Sequence, residues 1–495
     1  MDGRDPSPAH GAPHVDEDAQ RSSMEEVALL QRARYLGAAG AIALIGGSLV
    51  AAGAPTVAAT VGVQPASIVK HLASKAQPPT QAQCVAAFTV PCYDPAQFQA
   101  AYNEGPLFAR GITGKGQTIV IVDSYGSPTI AADLATFDAQ TGLPAPPSLK
   151  VIQPAGAVPP YDPTNSAMLS WAGETTLDVE WSHSMAPGAS ILLVETPVNE
   201  TEGVAGFPEI VQAENYVVNH HLGQVISQSF GATEQTFPTA QSLLRLRSAY
   251  VNAYRHHVTV LAATGDAGAT DWADAAQTTL FTHRATDWPS TDPLVTGVGG
   301  TQLQLNAAGQ RTAPDQVWND TFNTSLQEVF FGDAGPNPLA TGGGKSVIFG
   351  RPWYQGGVAG VTGRHRGVPD VSMSGACSGL VVTYQSFGGE EPGWYVVCGT
   401  SEATPLFAGI VALADQVAHH SLGLINPALY LLSAVHAPGL VDVTSGNNTV
   451  GFTQNGTAYT VKGFSARPGY DLASGVGTVN AALFVPELAR AAGRG

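Results

Sequence analysis

Charge is what this sequence has least of. Only 12% of its 495 residues are charged, and the balance is acidic, 39 Asp and Glu against 22 Lys and Arg, for a formal net charge of −17. With lysine scarce, nothing would neutralise a phosphate backbone, so nucleic acid is excluded as a partner. Cysteine is limited to four residues, with no C-x-x-C and no histidine at ligand spacing, which excludes a zinc site of the usual kind. The four fall as local pairs, Cys84 with Cys92 and Cys377 with Cys398, the pattern of two disulfides in an exported protein. No repeat period is visible. The apolar run Leu406 to Ala414 is stopped by Asp415, too short to span a bilayer, and reads as a buried helix.

What is present in quantity is apolar and small: 44% hydrophobic residues, 56 glycines and 35 prolines, a loop-rich globular chain able to bury a large core. Residues 1–23 are polar and of disordered composition. Gln31-Arg32-Ala33-Arg34 then precedes an apolar run from Tyr35 to about Ala54, followed by the small residues Val57-Ala58-Ala59. Residues 1–59 are therefore expected to be a polar tail plus a signal peptide, or an N-terminal anchor giving membrane association. Either implies export to the cell envelope or beyond. Residues 60–83 read as a linker, and 84–495 as the main domain.

From Gly116 strands and helices alternate. Gly116 to Asp123 is a continuous β-branched run, as in a strand buried on both faces. Further strands are expected at 190–194, 224–230, 257–263 and 293–298, with helices at 129–141, 173–185, 209–221 and 240–255. That order gives an α/β domain whose mostly parallel central sheet carries helices on both faces, with the active site off the carboxyl ends of the strands.

Four stretches carry chemistry. In Gly399-Thr400-Ser401, between a β-rich segment (Trp394 to Val397) and an apolar helix, the serine falls on a tight strand-to-helix turn beside free backbone N–H groups. Those groups carry the positive end of the helix dipole and suit a nucleophile whose attack creates an oxyanion; taken alone, the same residues are also an ordinary helix cap. Glu174 and Asp178 are four apart, so on a helix their carboxylates share one face and can share a proton. Asp266 lies between Gly265 and Gly268 just past a strand end, where glycines permit a turn that aims the acid into a site. Ser227, Ser229 and Gly231 end another strand with small residues that could present backbone to an extended peptide. Near the C-terminus Asp442-Val443 and Arg467-Pro468-Gly469-Tyr470-Asp471 place acids and carbonyls on Gly-rich loops, the oxygen ligands calcium takes.

Together these residues resemble the sedolisins, or serine-carboxyl peptidases, relatives of subtilisin. The resemblance runs from about Cys92 to Phe484. It rests on Gly399-Thr400-Ser401-x-x-x-Pro405, on Glu174-x-x-x-Asp178 continuing into Glu180-Trp181-x-His183 and Ala186-Pro187, and on Gly265-Asp266-x-Gly268. Val298-Gly299-Gly300-Thr301, Pro369-Asp370-Val371 and Gly469-Tyr470-Asp471 add to it. It implies a subtilisin-like three-layer fold and a peptidase acting on polypeptide substrates, taken to be a monomer. Ser401 would be the nucleophile, Glu174 its general base, Asp178 the acid that orients Glu174, and Asp266 the oxyanion-hole donor. One structural calcium would take the Asp442 and Asp471 carboxylates and the carbonyls of Val443, Arg467 and Gly469. Arg467 stands where the family often has Gly, a departure that leaves its carbonyl intact.

A glutamate base must be ionised and an aspartic-acid donor must be protonated. Both hold only in an acidic window, on the order of pH 3 to 5. A histidine-dependent subtilisin would want a His-Gly pair opening a helix, and only His10, in the polar tail, precedes a glycine. Asp123 is accordingly read as a structural or substrate-side carboxylate. The other alternative is a non-catalytic cell-surface binding protein that kept the fold. It draws on one departure: the family usually carries a sizeable N-terminal prosegment domain, and only a short linker separates the apolar segment from Cys84.

Overall fold

The computed structural model describes residues 68–72 and 77–492. The chain divides into two units, Met1–Ala59 and Thr60–Gly495. The polar tail and the apolar run fall in the first unit, outside the described residues, and everything below concerns the second. No helix among the described residues is long and apolar enough to cross a membrane.

In chain order the elements that bear on the site are β1 (Ile68–Leu72), α1 (Gln81–Phe88), β2 (Cys92–Tyr93), β3 (Thr118–Ser124), α2 (Ile130–Thr141), β4 (Leu149–Ile152), α3 (Ser166–Met185), β5 (Ser190–Thr196), α4 (Phe207–Asn219) and β6 (Val225–Gln228). They continue with α5 (Ser248–Arg255), β7 (Thr259–Ala263), β8 (Thr296–Gln302), β9 (Gln316–Val317), β10 (Val371–Ser374), β11 (Leu380–Gln385), β12 (Gly393–Cys398), α6 (Thr400–Ala418), β13 (Leu440–Val441), β14 (Thr478–Val479) and α7 (Ala481–Ala492). The eight-stranded sheet runs β9-β8-β7-β6-β3-β5-β4, with β10 also paired to β8. All its pairings are parallel except β8 with β9.

Successive side chains of a strand face opposite sides of its sheet, and β3 shows what that does here. Ile119 and Ile121 enter the core that holds Leu177 and Trp181 of α3 and Leu406 to Ala414 of α6. Val120 and Val122 enter the core that holds Val217 of α4 and Ala249 of α5. The expected three-layer α/β architecture is therefore present, and the continuous apolar run of β3 is explained by burial on both faces. The stretch read as one helix over 240–255 arrives instead as Ala240–Leu244 and α5, joined by a 3₁₀ turn at Arg245–Arg247. At that break the Arg247 guanidinium turns to Asp292, Nη2 to Oδ1 at 2.8 Å.

A second sheet has the order β1-β12-β11-β2. β1 lies inside the stretch read as a linker; its backbone pairs antiparallel with β12, Ile68 opposite Cys398 and Leu72 opposite Trp394. A five-residue strand with two polar residues among its five carries too little periodicity to separate it from a linker. The two disulfides form as paired in the sequence. Cys84–Cys92 ties α1 to β2, and Cys377–Cys398 ties the segment after β10 to the end of β12.

Candidate active site

β12 delivers the chain to Gly399, and α6 begins one residue later. The turn needs glycine twice over. Gly399 has φ of +139°, and a Cβ there would sit 2.6 Å from Oδ2 of Asp266. Ser401 lies in the first turn of α6, almost enclosed at 3% exposure, and its Oγ donates to the Ser229 carbonyl at 3.4 Å. Pro405 follows four residues on. Lacking an N–H, it leaves the Ser401 carbonyl without its helical donor, and the Ser229 hydroxyl lies 3.3 Å from that oxygen.

Helix α3 packs against α6. Glu174 and Asp178 sit one turn apart on it, both fully buried. Asp178 Oδ1 accepts from the Ser229 hydroxyl at 2.7 Å, so Ser229 bridges the acid helix and the serine turn. Burial raises the Asp178 pKa well above its ordinary value, the negative charges of Asp123 and Glu174 raise it further, and the Ser229 bond opposes them. Asp123, at the end of β3, is pushed up to about 7 by burial, with Thr175 opposing and Glu195 adding to the rise. The structure encloses Asp123 completely, which corrects the substrate-side option for it.

Asp266 reaches the same turn from the loop after β7. Its Oδ1 accepts both the Thr400 N–H and the Thr400 hydroxyl, each at 2.7 Å. Thr400 Oγ1 in turn accepts the Gly265 N–H at 3.2 Å. Burial lifts the Asp266 pKa to about 6 against the two Thr400 bonds, with Asp271 adding to the rise. At 8% exposure it is the most open of the four acids and hydroxyls expected to act. The fold thus gathers Ser401, Asp178 and Asp266 around the start of α6 from segments far apart in the chain, with Glu174 one turn before Asp178 on α3.

The three residues expected to line the substrate divide. Ser227 is fully buried and its hydroxyl has no hydrogen-bond partner; Ser229 has its hydroxyl engaged with Asp178; only Gly231 opens in part to solvent. Sequence reasoning missed Thr400, although it stands inside the Gly-Thr-Ser motif, and missed the bridging part of Ser229. Neither has a local signal, because each acts on an acid more than 50 residues away.

With that geometry in hand, comparison with known proteins places the chain. The model of the subtilase family matches residues 166–430. The chain is 32% identical to kumamolisin of Bacillus sp. (strain MN-32) over 397 residues, which cover 78% of this chain and 62% of that protein. It is 28% identical to sedolisin of Pseudomonas sp. (strain 101), over 81% of this chain and 62% of the relative.

The chain belongs to the sedolisin branch of the subtilase family.

Among solved structures, Pseudomonas sedolisin, described as a serine-carboxyl proteinase complexed with two molecules of pseudo-iodotyrostatin, superposes with a TM-score of 0.63 at 25% identity, covering 80% of this chain and 97% of that one. The chain spans about three-fifths of the length of the kumamolisin and the sedolisin it matches. It also resembles human tripeptidyl-peptidase 1, at 27% identity over 62% of this chain and half of that one.

The C-terminal loops expected to hold a cation meet beside the β13–β14 pair. Gly469 N donates to Asp442 Oδ2 at 2.8 Å, and Asp471 accepts from the N–H groups of Arg467, Ala473 and Ser474, each at 2.9 Å. The described residues contain no group of three or more His, Cys, Asp or Glu able to bind a metal. A cation in this sedolisin would rest on two carboxylates and on carbonyl oxygens. That all-oxygen donor set fits a hard ion such as calcium and suits a softer metal poorly.

Proposed function

We propose that this sedolisin is an exported, acid-active serine-carboxyl peptidase that cleaves polypeptides through an acyl-enzyme on Ser401. The observation that carries the reading is the pinning of Asp266 onto the Ser401 turn through Thr400, with a pKa near 6. A carboxylic acid that stays protonated in mild acid is a donor, and its unbonded oxygen lies next to Gly399, beside the backbone N–H of Ser401. Those two groups would receive the oxyanion of a tetrahedral intermediate.

Glu174, as the carboxylate, takes the Ser401 proton as Oγ attacks the scissile carbonyl, and returns it to the leaving amine. Asp178, kept neutral by burial and by its acidic neighbours, orients Glu174 without adding a second negative charge. Water then enters on the opened side and Glu174 acts again as base. Asp442, Asp471 and the carbonyls of Val443, Arg467 and Gly469 would hold a calcium ion, whose contribution is to fix the two loops rather than to take part in the reaction. Export follows from the apolar segment ahead of residue 60.

The test is hydrolysis of a peptide library between pH 3 and 8 by wild type and Ser401→Ala. Cleavage that peaks in acid and is lost in Ser401→Ala supports the reading. Ser401-dependent cleavage that peaks at pH 8 and is absent at pH 4 would sink it.

A further inference from the structure

At the carboxyl ends of β3, β4 and β5 lies a cavity of ≈ 150 Å³ whose lining includes Tyr125, Gly126, Gln153, Tyr161, Met168 and Glu195. Met168 stands six residues before Glu174 on α3, about 9 Å along the helix axis, and Tyr125 stands two residues past Asp123. The cavity therefore adjoins the proposed site on the sheet end where α/β folds bind their ligands.

One charged group lines it. Glu195 is 7% exposed, and its Oε2 accepts from Gln153 Nε2 at 2.7 Å. The other oxygen faces Gly126: a Cβ there would lie 2.0 Å from Oε1. Gly126 has φ of +75° and follows Tyr125, whose own φ is +61°. The chain thus makes a sharp turn that keeps a side chain off this carboxylate. None of the ion pairs among the described residues uses Glu195. It lies directly beside Asp123 in the β3–β5 register. Burial raises its pKa, with the Gln153 bond opposing. A cation entering the cavity would offset both the desolvation and the crowding of two neighbouring acids. The two phenol rings add faces that attract an ammonium or guanidinium.

We propose that this cavity is a specificity subsite for a cationic group of the polypeptide substrate, with Glu195 as its counter-ion and Tyr125 and Tyr161 as its walls. The proposal rests on the peptidase reading and names a substrate class for it. The cation has two sources, a lysine or arginine side chain on the amino side of the scissile bond, or the substrate's terminal ammonium.

Peptides of one sequence are made with lysine or norleucine at each position on the amino side of the scissile bond, each with a free or an acetylated N-terminus. kcat/KM is measured at pH 4 and at pH 6 for wild type, Glu195→Gln and Tyr161→Leu. Glu195 acts as a counter-ion only when ionised and burial raises its pKa, so the preference is the one expected at the higher pH. Wild type is expected to prefer a cationic peptide by about tenfold, a preference that falls to about twofold in Glu195→Gln and in part in Tyr161→Leu. A preference that follows lysine at one position assigns the side chain; one that follows the free N-terminus assigns the terminal ammonium. Equal rates for charged and neutral peptides, or a preference that survives Glu195→Gln, overturn the proposal and leave the peptidase reading standing. Should no peptide be cleaved, that reading fails separately, and the cavity is tested by calorimetric binding of n-butylammonium to Ser401→Ala. Binding lost on adding Glu195→Gln supports the subsite; no binding, or binding unchanged by that substitution, overturns it.

Discussion

Asp266 is a donor only while it holds a proton, and its pKa near 6 sets where that ends. Activity limited by this residue is full below about pH 5 and falls as pH rises through 6. Asp266→Asn keeps an acceptor for Thr400 and places an amide N–H where the acid O–H would be. It is expected to retain activity at pH 4 within about tenfold of wild type and to lose the fall near pH 6, read from kcat against pH. Asp266→Ala is expected to cost about 10²–10³ in kcat at pH 4, as for other oxyanion donors. Gly399→Ala drives a methyl into Asp266 Oδ2 at a positive φ, so it should lower kcat and melting temperature together. If both held, Asp266 would not be where the reaction needs it. Much at this scale was legible in sequence: the i, i+4 acids, the glycine-flanked Asp266 and the Gly-Thr-Ser turn each carry local spacing. Thr400 reaching Asp266, and Ser229 reaching Asp178, were not, because a hydroxyl's partner is chosen by tertiary packing.

Among the elements, α6 does most to organise the site. It is almost wholly buried to Asp415, begins on the nucleophile turn, and packs on α3. Its start is fixed by the end of β12, which Cys398 ties to Cys377 across 21 residues. Replacing both cysteines with alanine is expected to cost about 3 kcal/mol by the loop-closure argument. The measurement is denaturant unfolding of the double variant, with a change under about 0.5 kcal/mol counting against a bracing role. The long elements were readable because their apolar patterns are long: β3 appears where its run put it, while α3 and α6 begin a turn or two ahead of 173 and Leu406, where their sequences turn polar or small. β1 and the break at Arg245–Arg247 were not, since a five-residue strand and a one-turn interruption are settled by partners elsewhere in the chain.

At the scale of the molecule, buried acids without counter-ions among the described residues are the dominant electrostatic fact. Burial raises Asp266 and Asp320 to about 6, Asp123 to about 7, and Glu202, Glu214 and Asp415 to about 8. The described ion pairs, those of His183, Arg247, Arg311 and Arg366, engage none of them. The folded state therefore holds protons that the unfolded chain gives up near its ordinary carboxyl values. Stability from these groups is complete below about pH 4 and declines as pH rises to about 8, the reverse of common acid denaturation. The melting temperature should be higher near pH 4.5 than near pH 8. Equal values, or the opposite order, would remove the argument. The net charge of −17 was visible in composition, but which acids lie inside was not, because only the fold decides burial.

The pairing of β1 with β12 bears on how this chain can be handled. Without Ile68–Leu72, the backbone groups of Gly393–Cys398 on that side would face solvent as an open template for another strand. A version trimmed to begin after Leu72 would carry a self-associating edge leading directly into the nucleophile turn. Its first symptom would be aggregation rather than lost chemistry.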